Sequence, residues 1–301
     1  TRFAALAARE LTQIDSTNSE LLRQAHAGQH YPQVLWAHQQ SAGRGRMGRV
    51  WLGGAADQAT HTTPATPAQA PPHSAYSAHS TCLPSLFLSL ALPFAPLDWS
   101  GLSLVVGLAV AELLGAEIVL KWPNDLCVRQ AGGGYAKLGG ILLETAALPP
   151  HFSAPALPSH PSLDPNTPPR WLVIGLGLNL SNAPATTDLR APAIDLARAL
   201  APERAQTLLT NPALLCADLA LAILQKTLHF EQTGFAPFAP DFAARDLLLG
   251  QSVCSLDAQG AAQHSGQACG VAADGGYQIR LPNGALHTLH SAEISLRPTP
   301  L

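Results

Sequence analysis

"KWPNDLCVRQAGGGYAKLGGILLE", residues 121–144, holds two of the three lysines in the whole chain, Lys121 and Lys137, each at the edge of an apolar run. The run 117–126, "EIVLKWPNDL", reads as a strand stopped by Pro123, because proline has no N–H to give to a ladder. Asn124 and Asp125 follow in a turn. An Asx residue there caps its own backbone, holds a metal or, as a carboxylate, takes a proton. "KLGGILLE" (137–144) reads as a further strand. Lys137 precedes two glycines, so its ammonium lies beside backbone that another group can approach without side-chain obstruction. A compact point charge at such a place suits a phosphate or acyl oxygen. Fourteen arginines stand against those three lysines; GC-rich coding bias is the bland source of that imbalance.

Outward from this stretch, two more glycine-rich segments leave apolar strands. "QVLWAHQQ" (33–40) is a strand by its apolar and aromatic content, and it delivers the chain into "SAGRGRMGRVW" (41–51). Arginine offers a planar fork matched to phosphate or carboxylate, and glycine lets backbone N–H groups come close to an anion. An anion cradle, a short RNA-binding segment and a solvated glycine turn all fit this loop taken alone. "WLVIGLGLNL" (171–180) carries two glycines in a strand, which mark close backbone approach. It is no dinucleotide fingerprint, since Asn182-Ala183-Pro184 follows instead of a helix. The 41–51 loop likewise lacks the Lys-Ser/Thr of a P-loop.

The remaining chain supplies a frame. "IDSTNSELLRQAHAGQ" (14–29) reads as a strand end and a helix, with Thr17 and Glu20 as a capping box. "SLFLSLAL" (85–92) is a strand, and 100–115 is a helix with Ser100 at its start and Gly115 as C-cap. A helix over 212–230 has Pro212 in its first turn. Short strands at 250–256, 267–272, 277–281 and 285–290 are joined by Asp274-Gly275 and Asn283-Gly284, which are hairpin dipeptides. Residues 53–82 lack any hydrophobic period, and 146–169 hold eight prolines. Both read as flexible insertions, the second joining two neighbouring strands. The expected organisation is one large domain over 1–245 and a small all-β module over 246–301.

Composition bounds the function. With 301 residues, 47% of them hydrophobic, the chain can bury a full core. A formal net charge of −3 argues against a protein devoted to a long polyanion, so any basic site is local. Five cysteines, at 82, 127, 216, 254 and 269, form no CxxC pair and no Cys/His metal spacing. They read as reduced thiols of a cytoplasmic protein. No export signal stands at the start. The apolar window 101–120 is broken by Glu112 and Glu117, so no membrane span is expected.

"DSTN", "QSAGRGRMGRVW", "KWPNDL", "KLGGILLE" and "GLGLNLS", in this order and followed by a β module ending "EISL", closely resemble the biotin–protein ligase (biotin–[acetyl-CoA-carboxylase] ligase) family. The resemblance implies an α+β fold: a mixed β-sheet flanked by helices, related to class II aminoacyl-tRNA synthetases and lipoate ligases, with a small C-terminal β-barrel of the Src-homology type. It implies that biotin and MgATP give biotinyl-5′-AMP, and that the acyl group then passes to one lysine of a biotin carboxyl carrier domain. By resemblance, Ser16, Thr17, Asn18, Gln40, Gly43, Arg44, Lys137, Gly140 and Leu142 would surround biotin. Arg46, Arg49, Trp51, Lys121, Asn124 and Asn179 would serve ATP. Lys137, Arg44, Arg46 and Asp125 would carry catalysis, with Asp125 positioning or deprotonating the acceptor lysine, and Asp125 or Asn179 would be candidates for the metal. Residues 43–51 would close over the intermediate and be open or poorly ordered without ligand. Only about thirteen residues precede "DSTN", so the DNA-binding domain of some relatives is expected to be missing, and with it any nucleic-acid partner. Monomer and homodimer are both expected states. Lipoate ligation on the same fold and a non-catalytic ligand- or RNA-binding module are the alternatives.

Overall fold

The computed structural model describes residues 6–51, 53, 83–149, 152, 169–184, 191–257, 260–290 and 295–298. All of the 53–82 insertion except Gly53, and most of 146–169, lie outside these residues, as does Cys82.

Seven strands form one sheet: β1 (Ala7–Ile14), β2 (Gln33–Gln40), β3 (Ser85–Phe94), β4 (Ile118–Lys121), β5 (Asp125–Arg129), β6 (Tyr135–Ala147) and β7 (Arg170–Asn179). Their spatial order is β1-β2-β3-β7-β6-β5-β4, with β1 parallel to β2 and every other pairing antiparallel. This is the mixed sheet expected. β3 is buried at every position, which its near-continuous apolar run requires of a central strand covered on both faces.

On one face Leu86, Leu88, Leu90 and Leu92 of β3 join Leu172, Ile174, Leu176 and Leu178 of β7 in the main core. That face is covered by α2 (Leu102–Leu114) and α5 (Pro212–Thr233), which pack on each other. α5 is long and apolar enough to cross a membrane by length and composition. It nevertheless turns Leu215, Leu219, Ile223 and Phe230 into this core, together with Thr227 and Glu231. The opposite face carries α1 (Thr17–His26) over a smaller cluster of Leu21, Ala25, Leu35, Ala91 and Trp171. Two short helices, α3 (Leu196–Ala199) and α4 (Pro202–Leu209), precede α5, and α6 (Ala239–Arg245) follows it.

A second, five-stranded antiparallel sheet runs β11-β10-β9-β8-β12, from β8 (Ser252–Leu256), β9 (Ala262–Val271), β10 (Tyr277–Arg280), β11 (Leu286–Leu289) and β12 (Ser295–Pro298). Asp274-Gly275 and Asn283-Gly284 fall in its turns, and Gly275 and Gly284 adopt φ of +82° and +85° there. The two sheets share one core. Tyr277 packs against Trp122, with ring centroids 5.6 Å apart and the rings tilted by 51°, and its hydroxyl donates to buried Asp246 at 2.8 Å.

Three local expectations need correction. The strand in 117–126 stops before Pro123, as read, but Asp125 does not stay in a turn: Trp122-Pro123-Asn124 reverses the chain, and a further strand, β5, pairs back on β4 from Asp125. The cap of α1 is Ser16, which is extended in backbone and whose side chain accepts the Ser19 N–H, while Glu20 pairs with Arg23 and Gln24 instead of closing a capping box through Thr17. The cap of α2 is Gly101, at φ +85°, and not Ser100.

Candidate active site

A cavity of about 440 Å³ opens on the α1 side of the large sheet. Its floor is set by strand register. Gly140 pairs with Gly177 and Leu142 with Gly175 between β6 and β7, and across β3 these rows continue into Phe87 and Ser89. The glycines make room for side chains of this same chain. A Cβ on Gly175 would stand 2.3 Å from Asn18 Oδ1, and one on Gly177 would stand 2.8 Å from the Trp51 ring. The close approach expected at "GLGLN" is therefore made by Asn18 and Trp51.

Over this floor lies the loop 43–51. The Trp51 N–H donates to Gly43 O at 2.9 Å, the Gly45 N–H to Arg49 O at 2.7 Å, and Arg44 bridges Val50. The loop is thus a narrow hairpin with a 3₁₀ turn at Arg46–Gly48. Met47, at φ 59°, holds a left-handed conformation uncommon outside glycine. Gly43 does not line the cavity. A Cβ on it would meet Trp51 O at 2.7 Å, so its part is to let the hairpin close.

Charge converges here. Arg44, Arg46, Arg49, Lys121 and Lys137, five of the chain's 17 basic residues, line the cavity with Asp125 as the only carboxylate among its lining residues. Lys137 reaches this place through a bulge in β6. The β5 partner steps from Gly139 opposite Leu126 to Lys137 opposite Cys127, which leaves Leu138 as the extra residue and re-aims Lys137. Its Nζ then lies 2.5 Å from Asp125 Oδ1 and 5.1 Å from the Trp51 ring centroid. Lys121, 7% exposed, lies 3.9 Å from Asp125 Oδ2. Burial pushes the Asp125 carboxyl up, but Lys137, Lys121 and Arg46 outweigh it and hold the group below the usual carboxylate range. Desolvation lowers Arg46 from its ordinary value, against the pull of Asp125, and a guanidinium stays charged there.

The expected site residues are otherwise brought together: Ser16, Thr17, Asn18 and Gln40 form the polar end, and Asn124 and Asn179 stand with the lysines. Among the residues lining the cavity, two buried groups are left without a hydrogen-bond partner, Trp51 Nε1 and Asn179 Oδ1. Among the described residues no group of three His, Cys, Asp or Glu side chains could cage a metal.

No family model matches the chain. It is similar to the biotin–[acetyl-CoA-carboxylase] ligase of Paracoccus denitrificans, 29% identical over 287 residues that cover 91% of this chain and 94% of that protein. It is also 29% identical to the enzyme of the same name from Mycobacterium tuberculosis, over 254 residues covering 81% and 72% of the two. Both relatives bear the name of the family that the sequence motifs resemble, and the likeness runs along most of the chain. Among solved structures, the biotin protein ligase from Aquifex aeolicus in complex with biotin and ATP matches with a TM-score of 0.63 at 23% identity, covering 97% of this chain and 99% of that one. This likeness bears on the fold.

The site also includes residues to which sequence reasoning gave no role. Glu144 holds Arg44 through both carboxylate oxygens, at 2.9 and 2.7 Å, and accepts from Asn18 at 2.9 Å. Ser89 is fully buried beneath Thr17 and Asn18. Leu296 of β12 reaches the cavity from the second sheet. Glu144 closes the "KLGGILLE" motif and was legible as its one charged member after Lys137. Ser89, a polar residue inside "SLFLSLAL", was a signal of the same kind.

Proposed function

We propose that this chain is an ATP-dependent biotin–protein ligase, which activates biotin to biotinyl-5′-AMP and passes the acyl group to a lysine of a biotin carboxyl carrier domain. The observation that carries it is the cavity itself: five cations and one carboxylate stand over a polar end and an apolar floor, in a chain of net charge −3. That is the environment in which two anions, a carboxylate and a triphosphate, can meet. Relatives named biotin–[acetyl-CoA-carboxylase] ligase along nearly the whole chain support the same reading.

In the first step a biotin carboxylate oxygen attacks the α-phosphorus, a P–O bond forms, and pyrophosphate leaves. Lys137, Arg44 and Arg46 lower this barrier by stabilising charge at the reacting oxygens. Ser16, Thr17, Asn18, Gln40, Gly140 and Leu142 receive the biotin ring, and Arg49, Trp51, Lys121, Asn124 and Asn179 receive the nucleotide. The unpartnered Trp51 Nε1 donor and Asn179 Oδ1 acceptor support a partner carrying both an acceptor and a donor. Magnesium fits the donor set as an ion carried in by the nucleotide: Asn179 Oδ1 offers one oxygen, and phosphates and water supply the rest. Bound there, it would neutralise phosphate charge.

In the second step the acceptor amine attacks the acyl carbon, AMP leaves, and one proton is released. Asp125, held as a carboxylate by its two lysines, is a weak base. Its part is to attract and orient the acceptor ammonium.

Incubation with ATP, Mg²⁺ and an apo carrier domain, with either biotin or lipoate, tests the reading by intact mass of the carrier. A gain of one biotinyl group with biotin supports it; no gain with biotin, or a gain with lipoate alone, refutes it.

A further inference from the structure

β7 ends at Asn179, and its ladder with β6 stops where Leu178 stands opposite Gly139. Lys137 lies beyond that point, so it has no neighbour on β7, and on its other side the ladder to β5 slips between Leu126 and Cys127. The row that β7 vacates is filled by the chain's own return. Ala193 bridges Lys137 in parallel, the Lys137 N–H donates to Pro192 O at 2.7 Å, and the Ile194 N–H donates to Lys137 O at 2.9 Å. The N–H and C=O of one strand residue point to the same side, so Lys137 turns both away from β5. Its backbone is anchored on Pro192–Ile194. Proline suits residue 192, where only a carbonyl is asked for.

The same three residues hold Asn179, whose Nδ2 donates to Ile194 O at 3.1 Å. A carbonyl only accepts, so this bond orients the amide and leaves Oδ1, buried and unpartnered, as its free end. Ala191 and Ala193 line the cavity beside these groups with nothing larger than a methyl. One short segment thus sets a lysine and an asparagine brought from different strands.

Asp195, 2% exposed, follows directly. Its Oδ1 accepts the Arg198 N–H at 3.0 Å and caps α3, while its Oδ2 accepts the Ala183 N–H at 2.9 Å and the Arg198 Nε–H at 3.0 Å. Ala183 lies just after β7 and Arg198 in the helix after the return, so one carboxyl group joins the outgoing end of the chain to the incoming one. An ordinary N-cap needs a single acceptor. The second oxygen is engaged by Ala183, which no helix cap requires. A backbone bond from the Ala197 N–H to Leu180 O at 3.1 Å steadies α3 in the same place.

We infer that Asp195 is a positioning residue for activation of the carboxylate substrate: by clasping Ala183 to α3 it holds Pro192–Ile194 against β6, and through that segment it seats Lys137 and Asn179. The inference rests on the proposed function, which gives those two residues a nucleotide to meet. Displacing the segment frees the Lys137 backbone at its bulge and lets the Asn179 amide turn. Misplacement of such groups by about 1 Å is enough to slow a reaction about a hundredfold.

The test compares Asp195→Ser with the unmodified protein. Serine is a good N-cap, so it keeps the Arg198 N–H and the helix, but one hydroxyl does not also hold Ala183. Biotin-dependent pyrophosphate release is expected to show a KM for ATP raised several-fold and kcat/KM lowered about tenfold or more. An unchanged KM, with kcat either intact or lowered as by a loss of folded molecules, overturns the inference. Hydrogen exchange without any ligand gives a second measurement: peptides containing Lys137 and Ile194 should exchange several-fold faster in the variant while β3 stays protected. Unchanged exchange at both residues, or a loss of protection that extends to β3, overturns the inference whatever the rate does. Absence of pyrophosphate release from the unmodified protein refutes the proposed function instead.

Discussion

Gly177 and Trp51 illustrate what a single residue does here. Residue 177 has no side chain because the Trp51 ring occupies its place, and Lys137 in turn lies against that ring. Gly177→Ala is therefore expected to shift Trp51 and lower kcat/KM for ATP by about tenfold or more, as read by pyrophosphate release. Gly132→Ala, with open space around it, should leave the rate unchanged. Arg46 stands in the hairpin over the cavity, and Arg46→Gly should release biotinyl-AMP into solution; retention of the intermediate through gel filtration would contradict the closing role of the loop. That these residues meet was legible in part, since rare lysines and clustered glycines drew attention to stretches that the fold brings to one cavity. Their cause was not. Glycine in a strand signals that something comes close, and only the register of β6 against β7 shows that the visitor is the chain's own asparagine or tryptophan.

Among the elements, α1 depends on its first turn. Ser16 caps it, although the sequence offers Ser16, Thr17 and Asn18 as candidates. What decides between them is long-range, because Thr17 and Asn18 are drawn down to Ser89 and only Ser16 is free to accept the Ser19 N–H. Ser16→Ala should cost about 1 kcal/mol in denaturant unfolding. The strand following Pro123 was missed for a related reason: a proline that ends one strand reads as an end to pairing, while here it turns a hairpin whose second arm, "DLCVR", is too short to stand out. That arm carries Asp125 directly opposite Lys121 and Gly140, so the element least visible in the sequence places the carboxylate of the site.

At the scale of the molecule, Asp125 and Asp246 respond to pH in opposite senses. Asp125 is held below the ordinary carboxylate range, so it contributes stability above that range, which is lost as pH falls through its folded value. Burial raises Asp246, so its contribution is present in acid and is lost as pH rises through its folded value. The Tyr277 hydroxyl favours the charged form of Asp246. Tyr277→Phe should therefore destabilise the chain by about 1–3 kcal/mol, with the larger loss at pH 8 than at pH 5 in paired unfolding curves. Equal losses at the two pH values would show that Asp246 does not change its proton there. The second, all-antiparallel sheet was legible from the switch to short strands and hairpin dipeptides. The joint between the sheets was not, because it is built from single residues far apart in sequence: Trp122 against Tyr277, and the Leu247 N–H on Leu120 O.

Leu296 in the cavity wall has a bearing on synthesis. Ser16, which lines the same cavity, emerges from the ribosome some 280 residues earlier. The large sheet can pair while translation continues, since β7 ends at Asn179, yet the site is complete only once β12 has been made. The basic pocket thus stays unfinished during synthesis until β12, far along the chain from Ser16, has been made.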